Sequence, residues 1–154
     1  MTTDELIARE AIRHTLTTYN KAGDEDDADL FAGCFTEDAL MQSVAFRHEG
    51  REAIRQWKAA ASVFKATGRT AGFRVHHISS IHIELTSPEE AKVRTCWFVV
   101  TDIGPDHSGM YHDRFRKVGD RWLIAERLID NVWRAEDSFI APDMVGWVSR
   151  ARPR

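Results

Sequence analysis

GMYHDRFRKVGDRWLIAERLIDNVW, residues 109–133, decides the reading of this chain. Two runs rich in Val, Ile, Leu, Phe, Tyr and Trp flank Gly119-Asp120, a pair that suits a tight hairpin turn. Gly109–Val118 and Arg121–Trp133 are therefore expected as antiparallel neighbours. Working backward, Phe73–Leu85 and Ala91–Asp102 have the same strand composition, with turn chemistry at Ser87-Pro88-Glu89-Glu90 between them. Gly104-Pro105-Asp106 reads as a longer connection before the last pair.

The first half has a different period. Thr2 and Glu5 have capping-box spacing, and Leu6, Ile7, Ile12, Leu16 and Tyr19 recur near helical spacing over about residues 4–20. Gly23 is read as the end of that helix. A short helix fits Ala28–Phe35, with Asp27 as its N-cap. Residues 38–47 look extended, and a third helix fits about Arg51–Phe64, with Ile54, Trp57, Ala61 and Phe64 on one side. Gly68 and Gly72 bracket a loop. Helices first and long antiparallel strands after them imply an α+β fold, with helices on one face of a curved sheet and a cavity between the layers.

The 154 residues suit one domain, with a core over about 5–133 and a tail, 134–154, that caps the cavity or a subunit interface. Hydrophobic residues make up 43% and charged residues 29%, a globular balance able to bury a core without staples. The formal charge is −3 with no basic stripe, which argues against nucleic acid. No apolar run approaches a membrane span, and the polar N-terminus lacks signal-peptide chemistry, so a cytoplasmic location is expected. Cys34 and Cys96 are read as free buried thiols. Histidines lack HExxH or Cys/His cluster spacing, so no metal site is expected.

Several short motifs then fall in order: Gly23-Asp24, Asp29-Leu30-Phe31, Cys34-Phe35-Thr36-Glu37-Asp38-Ala39, Gly50-Arg51-Glu52-Ala53-Ile54, His76 four residues before Ser80, Gly109-x-Tyr111-x-Asp113, and Trp122-x-Ile124-x-x-Arg127. In that order and spacing the chain resembles the SnoaL-like branch of the NTF2-like superfamily. Within it the chain resembles the scytalone dehydratase and hexachlorocyclohexane dehydrochlorinase enzymes. The resemblance implies a cone of N-terminal helices on a strongly curved, mostly antiparallel mixed sheet. It also implies elimination chemistry without metal or organic cofactor, and a homodimer or homotrimer. Asp24 and His76 stand where those enzymes have their Asp–His pair. The tyrosine that precedes the Asp in the dehydratase is Gly23 here, residues 39–46 hold no tyrosine, and strand 92–102 holds no second histidine.

Histidine, with an ordinary pKa near 6.5, suits a base at neutral pH, and Asp24 would fix its tautomer. His77 competes, because strand neighbours point to opposite faces. His77 shares parity with Ile81, Ile83 and Leu85, whereas the spacing to Ser80 favours His76, and a β-bulge would change parity. Tyr19, Phe46, Trp57, Trp97, Tyr111, Asp113 and Arg127 are the candidate substrate contacts. Arg127 with Asp130 could instead form an ion pair, or part of an Asp–Arg–Asp arrangement. The leading expectation is a lyase or isomerase acting on a small hydrophobic cyclic molecule. The alternatives are a non-catalytic ligand-binding or oxygenase β-subunit-like module, and an epoxide hydrolase-like enzyme.

Overall fold

The computed structural model describes residues 1–60 and 71–147. Helix α1 spans Thr3–Asp24 and opens with a complete capping box, the Thr2 hydroxyl taking the Glu5 N–H and the Glu5 carboxylate taking the Thr2 N–H. Its packed stripe is Ala8, Ile12, Leu16 and Tyr19. Leu6 and Ile7, expected on that stripe, are exposed. At about 100° per residue Leu6 lies on the far side of the helix from Ala8.

Gly23 does not end α1. The helix continues through Asp24, the Glu25 N–H closes onto the Lys21 carbonyl at 3.0 Å, and the chain reverses at Asp26 with φ of 57°. Aspartate is among the few non-glycine residues that adopt this left-handed conformation readily. Asp24 therefore sits on a rigid helical turn, one turn beyond Asn20.

Helix α2, Ala28–Ala32, is capped by Asp27, whose carboxylate takes the Leu30 N–H at 2.9 Å. It stops short of the expected Phe35, which instead opens strand β1, Phe35–Gln42. Strand β2, Arg47–Glu49, and helix α3, Arg51–Ala60, follow. Ala61, Phe64 and Gly68 lie outside the described residues. The long strands are β3, Arg74–Leu85, β4, Glu90–Thr101, β5, Gly104–Val118, and β6, Arg121–Arg134. Gly104-Pro105-Asp106 is no long connection. Thr101 pairs directly with Gly104, whose φ of 89° makes the tight turn, and Pro105 enters the strand where the register shifts.

The six-stranded sheet has the order β2-β1-β6-β5-β4-β3. The β1–β6 pairing is parallel and the rest are antiparallel, giving the expected mixed sheet. The helices cover one face, over a core that includes Ile12, Leu16, Phe35, Met41, Ile54, Val99, Phe115 and Ile124. Full burial of each such side chain is worth about 1.5–3 kcal/mol, and this holds the helices against the sheet. No helix among the described residues is long and apolar enough to cross a membrane.

One irregularity positions the site. On β3, Ile78 pairs with Trp97 and Ile81 with Thr95, so Ser79 and Ser80 together oppose Cys96 alone. This bulge exchanges the faces of the strand. Ile81, Ile83 and Leu85 point inward below it, and Ile78 and His76 point inward above it.

Candidate active site

His76 faces the helices. His77 faces outward, stacked on Phe98 with ring centroids 4.7 Å apart. The parity that linked His77 to the apolar face is broken by the bulge, and Ser80 itself is exposed. The last turn of α1 meets β3 at this point. The Asp24 carboxylate lies 2.5 Å from Nδ1 of His76 and also accepts the His76 backbone N–H at 3.0 Å. One carboxylate thus fixes both the ring and the backbone that carries it. Asp24 stands behind His76 and off the cavity wall, whereas His76 is on it.

The cavity lies between α1, α3 and the inner sheet face and holds about 100 Å³. An engineered cavity of about 150 Å³ accepts benzene, so this space suits roughly one small ring. Of the candidate contacts, Tyr19, Phe46, Trp57, Trp97 and Tyr111 line it. Trp97 stacks on Tyr111 at 5.2 Å, and its position depends on Gly109 across the strand. A Cβ on Gly109 would stand 2.6 Å from the Trp97 ring and 2.0 Å from the Asp130 carbonyl oxygen. Met41 is buried in the core, Val44 is exposed, and Phe98 is on the outer face.

Asp113 and Arg127 do not reach the wall. Arg127 is completely buried beneath it, gripped by the Asp113 carboxylate through Nε at 2.8 Å and Nη2 at 2.7 Å. Its guanidinium lies 4.0 Å from the Tyr19 ring centroid and 4.1 Å from that of Tyr111. A planar cation suits both the fork and the ring faces. Burial opposes the charge, but Asp113 more than offsets this and raises the Arg127 pKa. The expected pairing with Asp130 does not form: Asp130 meets His112, 3.1 Å away. Nor is Arg127 set between two carboxylates, since aromatic rings occupy its flanks.

Several wall residues had no sequence signal. His107 is held by Asp106, with Nδ1 2.6 Å from the carboxylate. Burial lowers the His107 pKa, against the pull of Asp106, and favours neutral imidazole. Burial alone would raise the Asp106 pKa, but bonds from His107, the Ser138 hydroxyl and the Phe139 N–H outweigh it and bring it to about 2. The same carboxylate thereby straps the tail, whose Ile140 and Met144 line the cavity. Lys58 and Arg74, also on the wall, both donate to the Gly23 carbonyl and to Asp26. Two cations at the C-terminal end of α1 complement its dipole and hold the turn that carries Asp24. Burial lowers the Lys58 pKa, Asp26 opposes this, and Arg74 adds to it.

Asn20 lies one helical turn before Asp24, on the wall, and neither its amide nitrogen nor its oxygen has a partner among the described residues. The same holds for Nε1 of Trp97. A buried polar group left unsatisfied costs about 1–3 kcal/mol.

Comparison with known proteins bears on the whole arrangement. A sequence model of the SnoaL-like domain matches residues 4–128. No curated protein matches the chain. A protein provisionally named scytalone dehydratase from Novosphingobium aromaticivorans shares 22% identity, with a TM-score of 0.79 over 98% of this chain and 99% of that one. A hexachlorocyclohexane dehydrochlorinase, type 3, from Novosphingobium barchaimii shares 14%, with a TM-score of 0.71 over 90% of this chain and 98% of that one. A protein of unknown function from Mycobacterium tuberculosis shares 25%, with a TM-score of 0.72 over 90% of this chain and 79% of that one. These solved structures share the helix-on-curved-sheet fold. The family model covers most of the chain, and the chain belongs to the SnoaL-like domain family.

Proposed function

We propose that the chain is a lyase or isomerase that moves a proton on a small hydrophobic ring compound, with His76 as base and Asp24 as its orienting partner. The observation that carries this reading is the 2.5 Å contact between Asp24 and His76 Nδ1 at the edge of an aromatic cavity. With Nδ1–H given to Asp24, Nε2 is the basic nitrogen. Proton transfer to Nε2 makes an imidazolium next to a carboxylate already fixed by a backbone N–H. That pairing stabilises the charge as it forms. The apolar wall strengthens the interaction by excluding water. A base positioned in this way is worth roughly 10²–10⁴-fold in rate. His107, kept neutral by burial, is a second imidazole on the same wall, and the proton that a departing group needs is returned to that group by the His76 imidazolium.

The names of the dehydratase-like and dehydrochlorinase structures support elimination over hydrolysis. The burial of Arg127 beneath the wall weighs against the epoxide hydrolase-like alternative. The test is turnover of a panel of hydroxylated and halogenated single-ring compounds by the native protein and by His76→Ala. The proposal requires turnover of at least one compound, lost in His76→Ala while the thermal transition stays in place. Equal turnover by the variant contradicts it.

A further inference from the structure

Among the buried side-chain polar atoms without a hydrogen-bond partner among the described residues, those of Asn20 and Trp97 belong to residues that line the cavity. Asn20 is 6% exposed and Trp97 is 4% exposed, so neither group is turned to bulk solvent. Together they offer the cavity two kinds of donor, Asn20 Nδ2–H and Trp97 Nε1–H, and one acceptor, Asn20 Oδ1. Both side chains are held by their surroundings. Asn20 projects from the rigid last turns of α1, one turn from Asp24, and Trp97 is clamped between the Tyr111 ring and Gly109. The Trp97 and His76 ring centroids are 6.4 Å apart, so this polar pair shares the cavity with the proposed base.

We propose that Asn20 and Trp97 form a recognition site for a ring hydroxyl, and that the cavity therefore takes hydroxylated single-ring compounds in preference to halogenated ones. The inference deepens the proton-transfer reading and rests on it for the identity of the cavity as the substrate site. A hydroxyl is the smallest group that both accepts, from Nδ2–H or Nε1–H, and donates, to Oδ1. A chlorine substituent of similar size has no proton for Oδ1 and accepts weakly. It would leave the carboxamide buried and unpaired, which is the condition under which a polar site rejects an analogue most strongly. The space, about 100 Å³, limits the compound to about one ring with a compact substituent. A hydroxyl is also a group that an elimination can expel as water, so recognition and chemistry would act on one class of compound.

The test is a pair of dissociation constants, for phenol and for chlorobenzene, measured by quenching of tryptophan fluorescence in the full chain. The quantity read is the ratio of the two. Asn20→Leu fills a similar volume with an apolar side chain, and it should shift that ratio toward chlorobenzene by at least fivefold, roughly the effect of one to two net hydrogen bonds. Trp97→Phe removes the indole N–H and keeps one aromatic ring; it should shift the ratio in the same direction, and it stands in if Asn20→Leu does not fold. His77→Ala, on the outer sheet face, should leave the ratio unchanged. The ratio is read without turnover, so its failure is distinguishable from failure of the proposed base. A native protein that binds neither compound overturns the proposal. So does a smaller shift in the variants, or a ratio that moves as far with His77→Ala.

Discussion

The Asp24 carboxylate accepts both the Nδ1–H of His76, at 2.5 Å, and the His76 backbone N–H, at 3.0 Å. Two residues 52 positions apart are thus joined at both ends of one side chain, across the seam between α1 and β3. Asp24→Asn is nearly isosteric but cannot stabilise an imidazolium, and its amide can turn a donor toward Nδ1. Turnover should fall by roughly 10²–10⁴-fold with little change in the thermal transition. Steady-state rates beside a melting curve check this; a variant with near-native rates removes Asp24 from the mechanism.

Arg127 gives a prediction about stability. Its guanidinium has no exposure, and its charge is matched by Asp113 alone among the carboxylates that bond it. Asp113→Asn leaves a buried, unpaired cation and should cost about 3–5 kcal/mol in urea denaturation. The double variant Asp113→Leu with Arg127→Met should recover much of that loss, because an apolar pair carries no desolvation penalty.

Acid should act through Asp106. Its carboxyl is held at about 2 against an ordinary 3.8 by bonds from His107, Ser138 and Phe139. A lowered folded pKa means the stabilisation is fully present above about pH 4 and is lost as pH falls toward 2. At 1.36 kcal/mol per pH unit, the loss is about 2 kcal/mol. Melting curves between pH 5 and 2 should show this decrement in the native protein and lack it in Asp106→Asn. Hydrogen exchange should show the amides of residues 138–140 opening in the same window, since Phe139 N–H is bound to that carboxylate.

Gly109→Ala should disturb both stability and binding. Its Cβ would meet the Asp130 carbonyl oxygen at 2.0 Å and the Trp97 ring at 2.6 Å, and the former is backbone that cannot swing aside. A loss of about 1–3 kcal/mol is expected, with an altered Trp97 fluorescence spectrum. A native-like spectrum and melting curve would mean that Trp97 does not depend on this glycine.

What the sequence revealed, and what it hid, follows from the range of each interaction. The Thr2–Glu5 capping box, the Asp27 cap and the Gly119-Asp120 turn are local, and each forms as its spacing implies. The run of helix, helix and long strands is legible for the same reason. The sequence places the end of α1 at Gly23, whereas Lys58 and Arg74, from α3 and β3, hold the Gly23 carbonyl and the helical turn runs on through Asp24. The bulge at Ser79-Ser80 carries no special residue type, so the choice between His76 and His77 depended on strand pairing. Arg127 reads as a cavity residue from the sequence because its distance from Asp113 along the chain conceals that the pair lies under the Tyr19 and Tyr111 rings. Asn20 and His107 were hidden as site residues, since an unpaired amide or a buried imidazole exists only once the wall is assembled.

The central claim is that His76 takes a proton from a carbon of a ring held in this cavity. Its most direct test is transfer of deuterium from D₂O into the carbon framework of the hydroxylated ring panel, or of its elimination products, followed by NMR. The native protein should accelerate loss of one ring C–H signal, and His76→Ala should slow that loss by at least about 10²-fold while remaining folded. Deuterium uptake at the native rate in His76→Ala, or no enzyme-dependent exchange or elimination across the panel, would contradict the account.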